Sequence, residues 1–360
     1  MKILKSFFIY NIFCLVLMGQ MSVPAIDFLP EKYVCYQSIK PIIMDGKLDD
    51  ESWKKAEWTS HFIDIEGIQK PFFDTKAKML WDEQYFYFGF ELEETHLWAS
   101  LTQRDTTIYF DNDIEIFIDP DGDTHNYYEL EVNALGTEWD LFLTKPYRDP
   151  HMWAINEWDI KGLITKVHLE GTLNDPRDID KKWTVEVAIP WKVIESKPFP
   201  KDGDQWRVNF SRVHWDRDVV EDHYQKQDKP AYNWVWSPQG LIAMHYPEMW
   251  GFVQFSDNEI GGQKSNFTWD RIEDAKWALR QVYYAQRNYK GKNGVFTKNL
   301  PALNLDMDKP SGFLWPPEIE ATSSQFTAKL KENKSNRIVL IKEDGKVWIE
   351  KKGRLKIPLF

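Results

Sequence analysis

Hydrophobic and polar residues alternate without a break along residues 113–119, and they alternate again along residues 127–133. Successive side chains of a β-strand point to opposite faces, so each run predicts a strand with one face on a hydrophobic core. Residues 120–123, Pro-Asp-Gly-Asp, favour a turn and predict that the two strands are neighbours. The face opposite the apolar one would carry Glu115, Glu129, Glu131 and Asn133. Such a face suits the hydroxyl groups of a sugar, and an ordinary solvated outer face explains the same pattern.

Short apolar or alternating runs bounded by turn residues continue along most of the chain. They predict strands near residues 76–81, 85–92, 168–173, 183–189, 206–215 and 250–255. Residues 41–53 predict a short strand, an Asp-Gly turn and one helical turn. Many short strands separated by turns predict a mainly β fold, an antiparallel β-sandwich of about two sheets.

The composition changes near residues 261–262, a Gly-Gly pair. Residues 269–289 have a helical pattern, and Gly291 and Gly294 are expected to close the helix. Residues 326–349 predict short strands with a turn at Asp344-Gly345. We therefore expect a sandwich domain at residues 26–258 and a small α+β appendage at residues 265–360. A helix packed on the sandwich, followed by a terminal hairpin, is the alternative for the appendage.

The N-terminus has the features of a secretory signal peptide over residues 1–25. Lys2 and Lys5 precede an apolar run at residues 7–18, and Val-Pro-Ala at residues 23–25 offers a cleavage site. The run is too short to span a membrane, and no later stretch qualifies, so we expect no transmembrane segment in the mature chain. Cys14 follows Phe13 rather than a small residue, which favours a soluble periplasmic, cell-surface or secreted protein over a lipoprotein. Cleavage would leave Cys35 as the single cysteine, without an internal disulfide.

Charge and aromatic content narrow the classes of partner. The chain has 45 basic and 56 acidic residues and a net charge of −11, which argues against nucleic acid or anionic lipid as a partner. It also contains 18 Trp, 15 Tyr and 22 Phe residues. Aromatic side chains serve hydrophobic cores first, because each buries a large area. This number is high enough to furnish a binding face as well.

Six short motifs occur in an order that resembles the family 9 carbohydrate-binding modules, over roughly residues 38–256. The motifs are residues 43–46 (IMDG), 80–83 (LWDE), 113–119 (DIEIFID), 185–191 (VEVAIPW), 208–210 (VNF) and 250–251 (WG). The resemblance implies a jelly-roll-like sandwich that binds a sugar, often at a chain end, between two aromatic rings. It also implies structural calcium.

The resemblance assigns sugar contacts to individual residues. Tyr109 stands where the family has its first clamp aromatic, and Glu115 stands where the family has the carboxylate that hydrogen-bonds the sugar. Met244 stands where the second clamp aromatic is expected, with Tyr246 nearby. The chain departs from the family pattern at this second position.

Three further positions of the family site fall on the neighbouring strands. Glu131 precedes Val-Asn at residues 132–133, where the family has a basic residue, and Asn133 completes that motif. The polar residue that follows the Asn-Phe pair is Ser211, or Arg212 if the strand contains a bulge. The acidic Glu131 is the second departure from the family pattern.

The sequence offers one candidate metal site and no recognisable catalytic motif. Asp119, Asp121 and Asp123 alternate around Gly122 and supply hard oxygen ligands that suit Ca²⁺, although the same residues also form an ordinary acidic turn. The histidine spacing gives no zinc motif, and neither a phosphate-binding loop nor a Gly-x-Ser-x-Gly elbow is present. No spacing selects a catalytic pair of carboxylates. We expect a protein without catalytic activity of its own, in a role associated with glycoside hydrolases.

Two functions of different class remain open. The first is binding of an oligo- or polysaccharide by an exported module that supports polysaccharide use, with Trp139, Trp153, Trp158 and the His214-Trp215 pair as further ligand platforms. The second is a structural or interaction protein of the cell envelope that keeps the fold and has lost the sugar site. The aromatic surplus and the signal peptide favour the first function, and the departures at Glu131 and Met244 favour the second.

The signal peptide gives the first testable prediction. The mature protein should begin at Ile26, because Val-Pro-Ala follows a charged start and an apolar run. N-terminal sequencing of the protein recovered from an exporting host checks this. Retention of residues 1–25 in the exported protein would contradict it.

Overall fold

A computed structural model describes residues 21–194, 199–305 and 307–351. This part of the chain contains 19 β-strands and two α-helices. The strands are β1 (Lys32–Gln37), β2 (Ile63–Asp64), β3 (Thr75–Trp81), β4 (Tyr85–Glu93), β5 (Asp113–Asp119), β6 (Tyr127–Asn133), β7 (Glu138–Leu143), β8 (Ala154–Ile155), β9 (Ile164–Glu170), β10 (Lys182–Pro190), β11 (Gln205–His214), β12 (Arg217–Val220), β13 (His223–Lys226), β14 (Tyr232–Val235), β15 (Gly251–Glu259), β16 (Glu318–Ala321), β17 (Phe326–Lys331), β18 (Arg337–Lys342) and β19 (Val347–Lys351), and the helices are α1 (Glu51–Lys55) and α2 (Ile272–Asn293). Most of the predicted signal peptide lies outside the described residues, so it stays a prediction.

Thirteen of the described strands between residues 32 and 259 form one long mixed sheet that folds over a core, and β12 and β13 form a separate two-stranded sheet. The strand order of the long sheet is β8-β7-β6-β5-β11-β15-β1-β3-β4-β10-β9, and β14 and β2 extend it from β11. The predicted β-sandwich is confirmed, and β5 and β6 form the antiparallel pair that the alternation predicts. The sheet is not antiparallel throughout, because β1 runs parallel to both of its neighbours, β15 and β3. Parallel pairs need long crossovers, and residues 38–74, which include α1, supply one between β1 and β3.

The hydrophobic core lies between the two halves of this sheet. Ile116 of β5 and Phe210 of β11 face Phe88 of β4 and Val187 of β10, and all four are buried. The rings of Phe88 and Phe210 meet edge to face, with their centroids 5.8 Å apart. Each buried side chain of this size contributes about 1.5–3 kcal/mol to folding. The apolar face of the β5–β6 pair is therefore the core face, as its alternation predicts.

The C-terminal appendage combines α2 with the four-stranded antiparallel sheet β16-β17-β18-β19. Helix α2 runs through Gly291 and ends at Gly294, whose φ of +77° closes the helix in the left-handed region. Leu279 and Val282 of α2 pack against Val339 of β18, so the appendage has its own hydrophobic core. None of the helices in the described ranges is long and apolar enough to cross a membrane.

A buried ion pair network joins the appendage to the sandwich. Glu248, just before β15, accepts a hydrogen bond from Arg148 at 2.8 Å and lies 3.6 Å from the Arg280 guanidinium of α2. The Tyr284 hydroxyl, also on α2, donates to the same carboxylate. Burial alone would raise the pKa of Glu248, but Arg148 and Arg280 outweigh it and hold that pKa at about 2. The predicted boundary near residues 259–264 falls between β15 and α2, and independent folding of residues 26–258 stays a prediction.

Removal of the Glu248 carboxylate should destabilise the protein strongly. Glu248→Ala leaves Arg148 and Arg280 buried without their shared counter-charge, which typically costs about 3–5 kcal/mol. Urea unfolding followed by circular dichroism measures the loss. The control is Lys264→Ala, because Lys264 and its partner Glu57 are 85 % and 76 % exposed and such pairs contribute at most about 1 kcal/mol. Equal effects of the two substitutions would contradict the prediction.

Candidate functional site

The polar face of β5 and β6 is buried, so the alternative of a solvated outer face is wrong. Glu115 and Glu131 are register partners across the two strands, and Ser211 of β11 is the register partner of Glu115 on its other side. Their exposed fractions are 5 % for Glu115, 1 % for Glu131 and 0 % for Ser211. Because side chains alternate along a strand, the isoleucines that enter the core force these polar groups onto the opposite face.

Four carboxylates meet on this face, and we call Asp113, Glu115, Glu129 and Glu131 the carboxylate cluster. Asp113, Glu115 and Glu131 each offer an oxygen within 4.8 Å of the other two. Glu131 accepts the Tyr109 backbone N–H at 2.9 Å, and Asp113 accepts the Val213 N–H through Oδ1 at 3.3 Å. Asp113 Oδ2 and Glu129 Oε2 are buried without a hydrogen bond to any described residue. The cluster is therefore anchored on one side and has unused acceptors on the other.

Burial raises the pKa of every member of the carboxylate cluster. The pKa of Glu115 rises to about 7, although the neighbouring Ser211 hydroxyl opposes the shift. For Asp113, Glu129 and Glu131 the other carboxylates raise the pKa beyond the effect of burial. The raised pKa values favour the protonated, uncharged form of these carboxyl groups, because burial and the neighbouring carboxylates both disfavour ionisation.

The nearest basic group to the cluster is a neutral histidine. His245 Nε2 lies 4.0 Å from Glu129 Oε2, and burial, together with the charge of Arg148, lowers the pKa of His245 to about 3. Among the described residues, no Lys or Arg forms an ion pair with a member of the cluster.

Aromatic side chains form the mouth above the cluster. Tyr109 lies on a short 3₁₀ turn, Ile108–Phe110, and its ring is 39 % exposed. Trp139 of β7 approaches it with ring centroids 6.1 Å apart and planes 37° apart. The Tyr109 backbone N–H donates to Glu131, which places this turn beside the cluster. Burial raises the pKa of the Tyr109 phenol, and the charges of Glu131, Glu115 and Glu129 raise it further. Tyr147, 53 % exposed, stands edge-on to His245 at 4.4 Å.

The structure separates the two alternatives for the polar residue on β11. The register of β11 with β5 is regular through residues 207–211, so Ser211 faces the cluster and Arg212 faces the other way. The Arg212 guanidinium donates to Glu94 at 3.1 Å and to Thr75 at 2.9 Å. Arg212 is therefore on the core side of the strand and does not join Tyr109 and Glu115.

Two other predicted site residues, Asn133 and Met244, have side chains that are occupied by contacts within the protein. Asn133 donates to the Leu101 carbonyl and to Asp111, while its own carbonyl oxygen accepts the backbone N–H groups of Leu135 and Thr137. Met244 is 7 % exposed and packs in a hydrophobic cluster with Phe117, Tyr127 and Trp250. Methionine has no aromatic ring, and Met244 is also buried. It therefore does not replace the second clamp aromatic.

Of the aromatic side chains that the sequence offers as ligand platforms, some are exposed and others are occupied by contacts within the protein. Trp153 is 70 % exposed, whereas Trp158 packs on Tyr128 with ring centroids 5.1 Å apart. His214 is buried and stacked on Trp234 at 5.1 Å, and the Lys226 ammonium caps the Trp215 ring at 3.9 Å.

Sequence reasoning missed Asp113 and Tyr147 as members of this region. Asp113 lies two residues before Glu115 on the same face of β5, so the alternation itself carried that signal.

The acidic loop at residues 119–123 brings its three aspartates together, as the sequence predicts. Oxygens of Asp119, Asp121 and Asp123 lie within 4.8 Å of one another. Both oxygens of Asp119 accept backbone N–H groups of the loop, and the Lys346 ammonium lies 2.8 Å from Asp123. The oxygen donors fit Ca²⁺ in kind, and the cation would compete with Lys346 for one of them. Calcium in this loop stays a prediction.

Comparison with known proteins identifies relatives of residues 43–258, which match the model of the carbohydrate family 9 binding domain-like family. Exoglucanase XynX of Acetivibrio thermocellus is 24 % identical over 152 residues, which are 42 % of this chain and 12 % of that enzyme. Endo-1,4-beta-xylanase C of Paenibacillus barcinonensis is 26 % identical over 166 residues, which are 46 % of this chain and 13 % of that enzyme. The matched segment is thus about one eighth of the length of either enzyme.

Solved structures of similar proteins include a family 9 carbohydrate binding module from Caldicellulosiruptor kristjanssonii. Its complex with glucose aligns with a TM-score of 0.42 and 18 % identity, over 65 % of this chain and 98 % of the module. Its complex with cellotriose aligns with a TM-score of 0.42 and 17 % identity, over the same shares of the two chains.

The Glu94 network predicts a loss of stability in acid. Burial raises the pKa of Glu94, but the His214 hydrogen bond and the charges of Arg212 and Arg217 outweigh it and bring that pKa to about 2. Because the folded pKa lies below the ordinary value of 4.5, the stabilisation is complete above about pH 4.5 and is lost as the pH falls toward 2. The loss should be on the order of 3 kcal/mol.

Urea unfolding of the parent and of Glu94→Gln, at about pH 6 and about pH 3, measures this effect. The substitution should remove a large part of the difference between the two pH values. Parallel pH dependence in the two proteins would contradict the assignment of the acid sensitivity to Glu94.

Proposed function

The chain belongs to the carbohydrate family 9 binding domain-like proteins, and on that premise we propose that it binds an oligo- or polysaccharide without cleaving it. The observation that carries the proposal is the exposed Tyr109 ring on a turn whose backbone N–H donates to Glu131, the register partner of the buried Glu115. An aromatic face packs against the C–H face of a sugar ring, while a carboxylate accepts hydrogen bonds from sugar hydroxyls. Both groups are needed at one place, and they lie within seven residues of each other: Tyr109 on the turn before β5, and Glu115 on β5 itself.

The second ring of the site is proposed to be Trp139 rather than Met244. The Tyr109 and Trp139 rings are tilted by 37° at 6.1 Å, which makes a continuous aromatic surface rather than two facing walls. Such a surface would support a sugar from one side. Trp153, at the outer edge of the sheet beside β8, is available to extend it along a longer chain.

The lack of a cationic partner at the carboxylate cluster restricts the class of sugar. Among the described residues no Lys or Arg pairs with the cluster, and the His245 imidazole is neutral near pH 7 because its pKa is lowered to about 3. A uronic acid or a sulfated sugar would therefore find no counter-charge at this site. The proposed ligand is therefore a neutral oligosaccharide, and cello- and xylo-oligosaccharides are the first probes, following the names of the two related enzymes.

The proposal also includes export to the periplasm, the cell surface or the medium, and a structural Ca²⁺ in the acidic loop at residues 119–123. The signal-like residues 1–25 support the first, and the grouping of Asp119, Asp121 and Asp123 supports the second. A role in polysaccharide use, as a partner of catalytic domains, follows from binding without cleavage.

An envelope interaction protein without a sugar site is the second candidate function. The specific observation in its favour is the burial of Met244, which leaves the family's second clamp position without a ring. Exposed apolar side chains at Tyr147, Trp153 and Ile155 would then serve a protein contact. Absence of binding to every neutral glycan in a broad array would favour this function.

Isothermal titration with cello- and xylo-oligosaccharides tests the sugar site. Tyr109→Ala should weaken binding by on the order of 1.5 kcal/mol, because the stacking ring is lost. Glu115→Ala should weaken binding by about 1.5–3 kcal/mol, the usual contribution of a hydrogen bond to a charged group. Both variants should remain folded by circular dichroism.

Phe199→Ala is the matched control for Tyr109→Ala. Phe199 is 40 % exposed, close to the 39 % of Tyr109, but it packs on Trp81 and Trp191, away from the carboxylate cluster. Its replacement should leave the affinity unchanged. Unchanged affinity in both Tyr109→Ala and Glu115→Ala would move the site elsewhere, with Trp139 and Trp153 as the next residues to replace.

A further inference from the structure

We propose that Asp113, Glu115 and Glu131 bind a divalent cation, Ca²⁺ by preference, on the buried polar face of β5 and β6, at a site separate from the acidic loop. The cation would lie beneath the aromatic mouth formed by Tyr109 and Trp139. The proposal does not depend on sugar binding, since cation binding can be measured without a sugar.

The positions of the oxygen atoms fit a calcium ion. One oxygen from each of the three carboxylates lies within 4.8 Å of the other two. Ca²⁺ binds oxygen at about 2.3–2.6 Å, so two of its ligands can be up to about 5 Å apart. Mg²⁺ loses its bound waters reluctantly and usually keeps several of them, so a buried set of carboxylates suits it less. The set contains only hard oxygen donors, which Zn²⁺ does not favour.

Buried polar atoms around the three carboxylates lack partners. Asp113 Oδ2 is one of them, on a residue with 0 % exposure. Glu129 Oε2, on a side chain 5 % exposed, is another and lies outside the group of three. The Ser211 hydroxyl is fully buried. It lies near enough to Glu115 to lower the pKa of that carboxyl group, but it makes no hydrogen bond to a described residue. Buried polar groups without partners are rare in folded proteins, and a cation held by the three carboxylates would give Asp113 Oδ2 a partner.

Comparison with the other carboxylate groups separates this site from ordinary acidic clusters. The described residues contain three such groups of potential ligands. In the group of Asp105, Asp140 and Asp159, Arg104 pairs with the carboxylates. In the acidic loop, Lys346 pairs with Asp123.

The group of Asp113, Glu115 and Glu131 differs from both, since no described Lys or Arg pairs with it. It is also the group in which all three members are buried. Several buried carboxylates without a counter-ion are costly in a folded protein. A bound cation supplies the missing positive charge.

The cation would also order the mouth of the cleft. The Tyr109 backbone N–H donates to Glu131 at 2.9 Å, and the Trp215 indole N–H donates to the Tyr109 carbonyl at 2.8 Å. A cation that fixes the Glu131 carboxylate therefore fixes the turn that carries Tyr109.

Binding of Ca²⁺ and Tb³⁺ to the full chain, after removal of bound metal with a chelator, tests the proposal. Tb³⁺ replaces Ca²⁺ and emits when nearby aromatic rings transfer excitation to it, and Tyr109 and Trp139 are such rings. Calorimetry should detect Ca²⁺ binding, and added Ca²⁺ should quench the sensitised Tb³⁺ emission. Ca²⁺ should also raise the melting temperature, because it binds only the folded site.

Glu115→Gln and Glu131→Gln keep the shape of the side chain and remove its charge. Either should weaken Ca²⁺ binding by about tenfold or more and reduce the sensitised emission. Asp121→Asn is the matched control, because it removes a charge from the acidic loop and leaves the carboxylate cluster intact. It should leave the emission sensitised at the cluster unchanged.

Three outcomes would overturn the proposal. They are no Ca²⁺ or Tb³⁺ binding by the parent, unchanged binding in folded Glu115→Gln and Glu131→Gln, and complete loss of binding in Asp121→Asn. Failure of the parent to bind any glycan would count against the proposed function alone, since the cation measurements contain no sugar.

Discussion

The side chains of β5 point alternately into a hydrophobic core and toward a polar cluster, and both sides are buried. The core side holds Ile114, Ile116 and Ile118, which pack against strands from the other half of the sheet. Burial of these side chains fixes the register of β5 with β6 and β11, because a shift by one residue would exchange the two faces. The same register brings Glu115 between Glu131 and Ser211. The site is thus a consequence of how the core is packed.

Buried carboxylates have different partners in different parts of the molecule. Glu94 and Glu248 are each surrounded by arginines, and their pKa values fall to about 2 despite burial. Among the described residues the carboxylate cluster has no such partners, and the pKa of Glu115 rises to about 7. The proposed sugar and the proposed cation would each give the cluster an interaction comparable to the one that the arginines give Glu94 and Glu248.

The appendage supports the sandwich near the same strands. Thr124 Oγ1, in the turn after β5, donates to the Gly345 carbonyl in the β18–β19 turn, and Arg280 of α2 donates to Thr124. Tyr283 of α2 donates to Asp149, which belongs to the loop between β7 and β8 that also carries Tyr147. The appendage is therefore hydrogen-bonded to the turn between β5 and β6 and to the loop that carries Tyr147.

The sequence by itself determined the faces of β5 and β6 and the approximate positions of most long strands of the sandwich, because alternation with a period of two is a local property of the chain. It did not indicate β1 or β7, and the short strand expected within residues 41–53 was wrong, since the structure has only the helix α1 there. It predicted the β5–β6 pair, the placement of Glu115 and Glu131 on one face, and the closure of α2 at Gly294. Ser211 rather than Arg212 faces the cluster because β11 has no bulge at this point, and local sequence does not reveal that. Only the tertiary structure decided that the polar face is buried, that Met244 packs inward and that Trp139 approaches Tyr109. Those features depend on which distant segments cover each face of the sheet, and no periodicity within one strand encodes them.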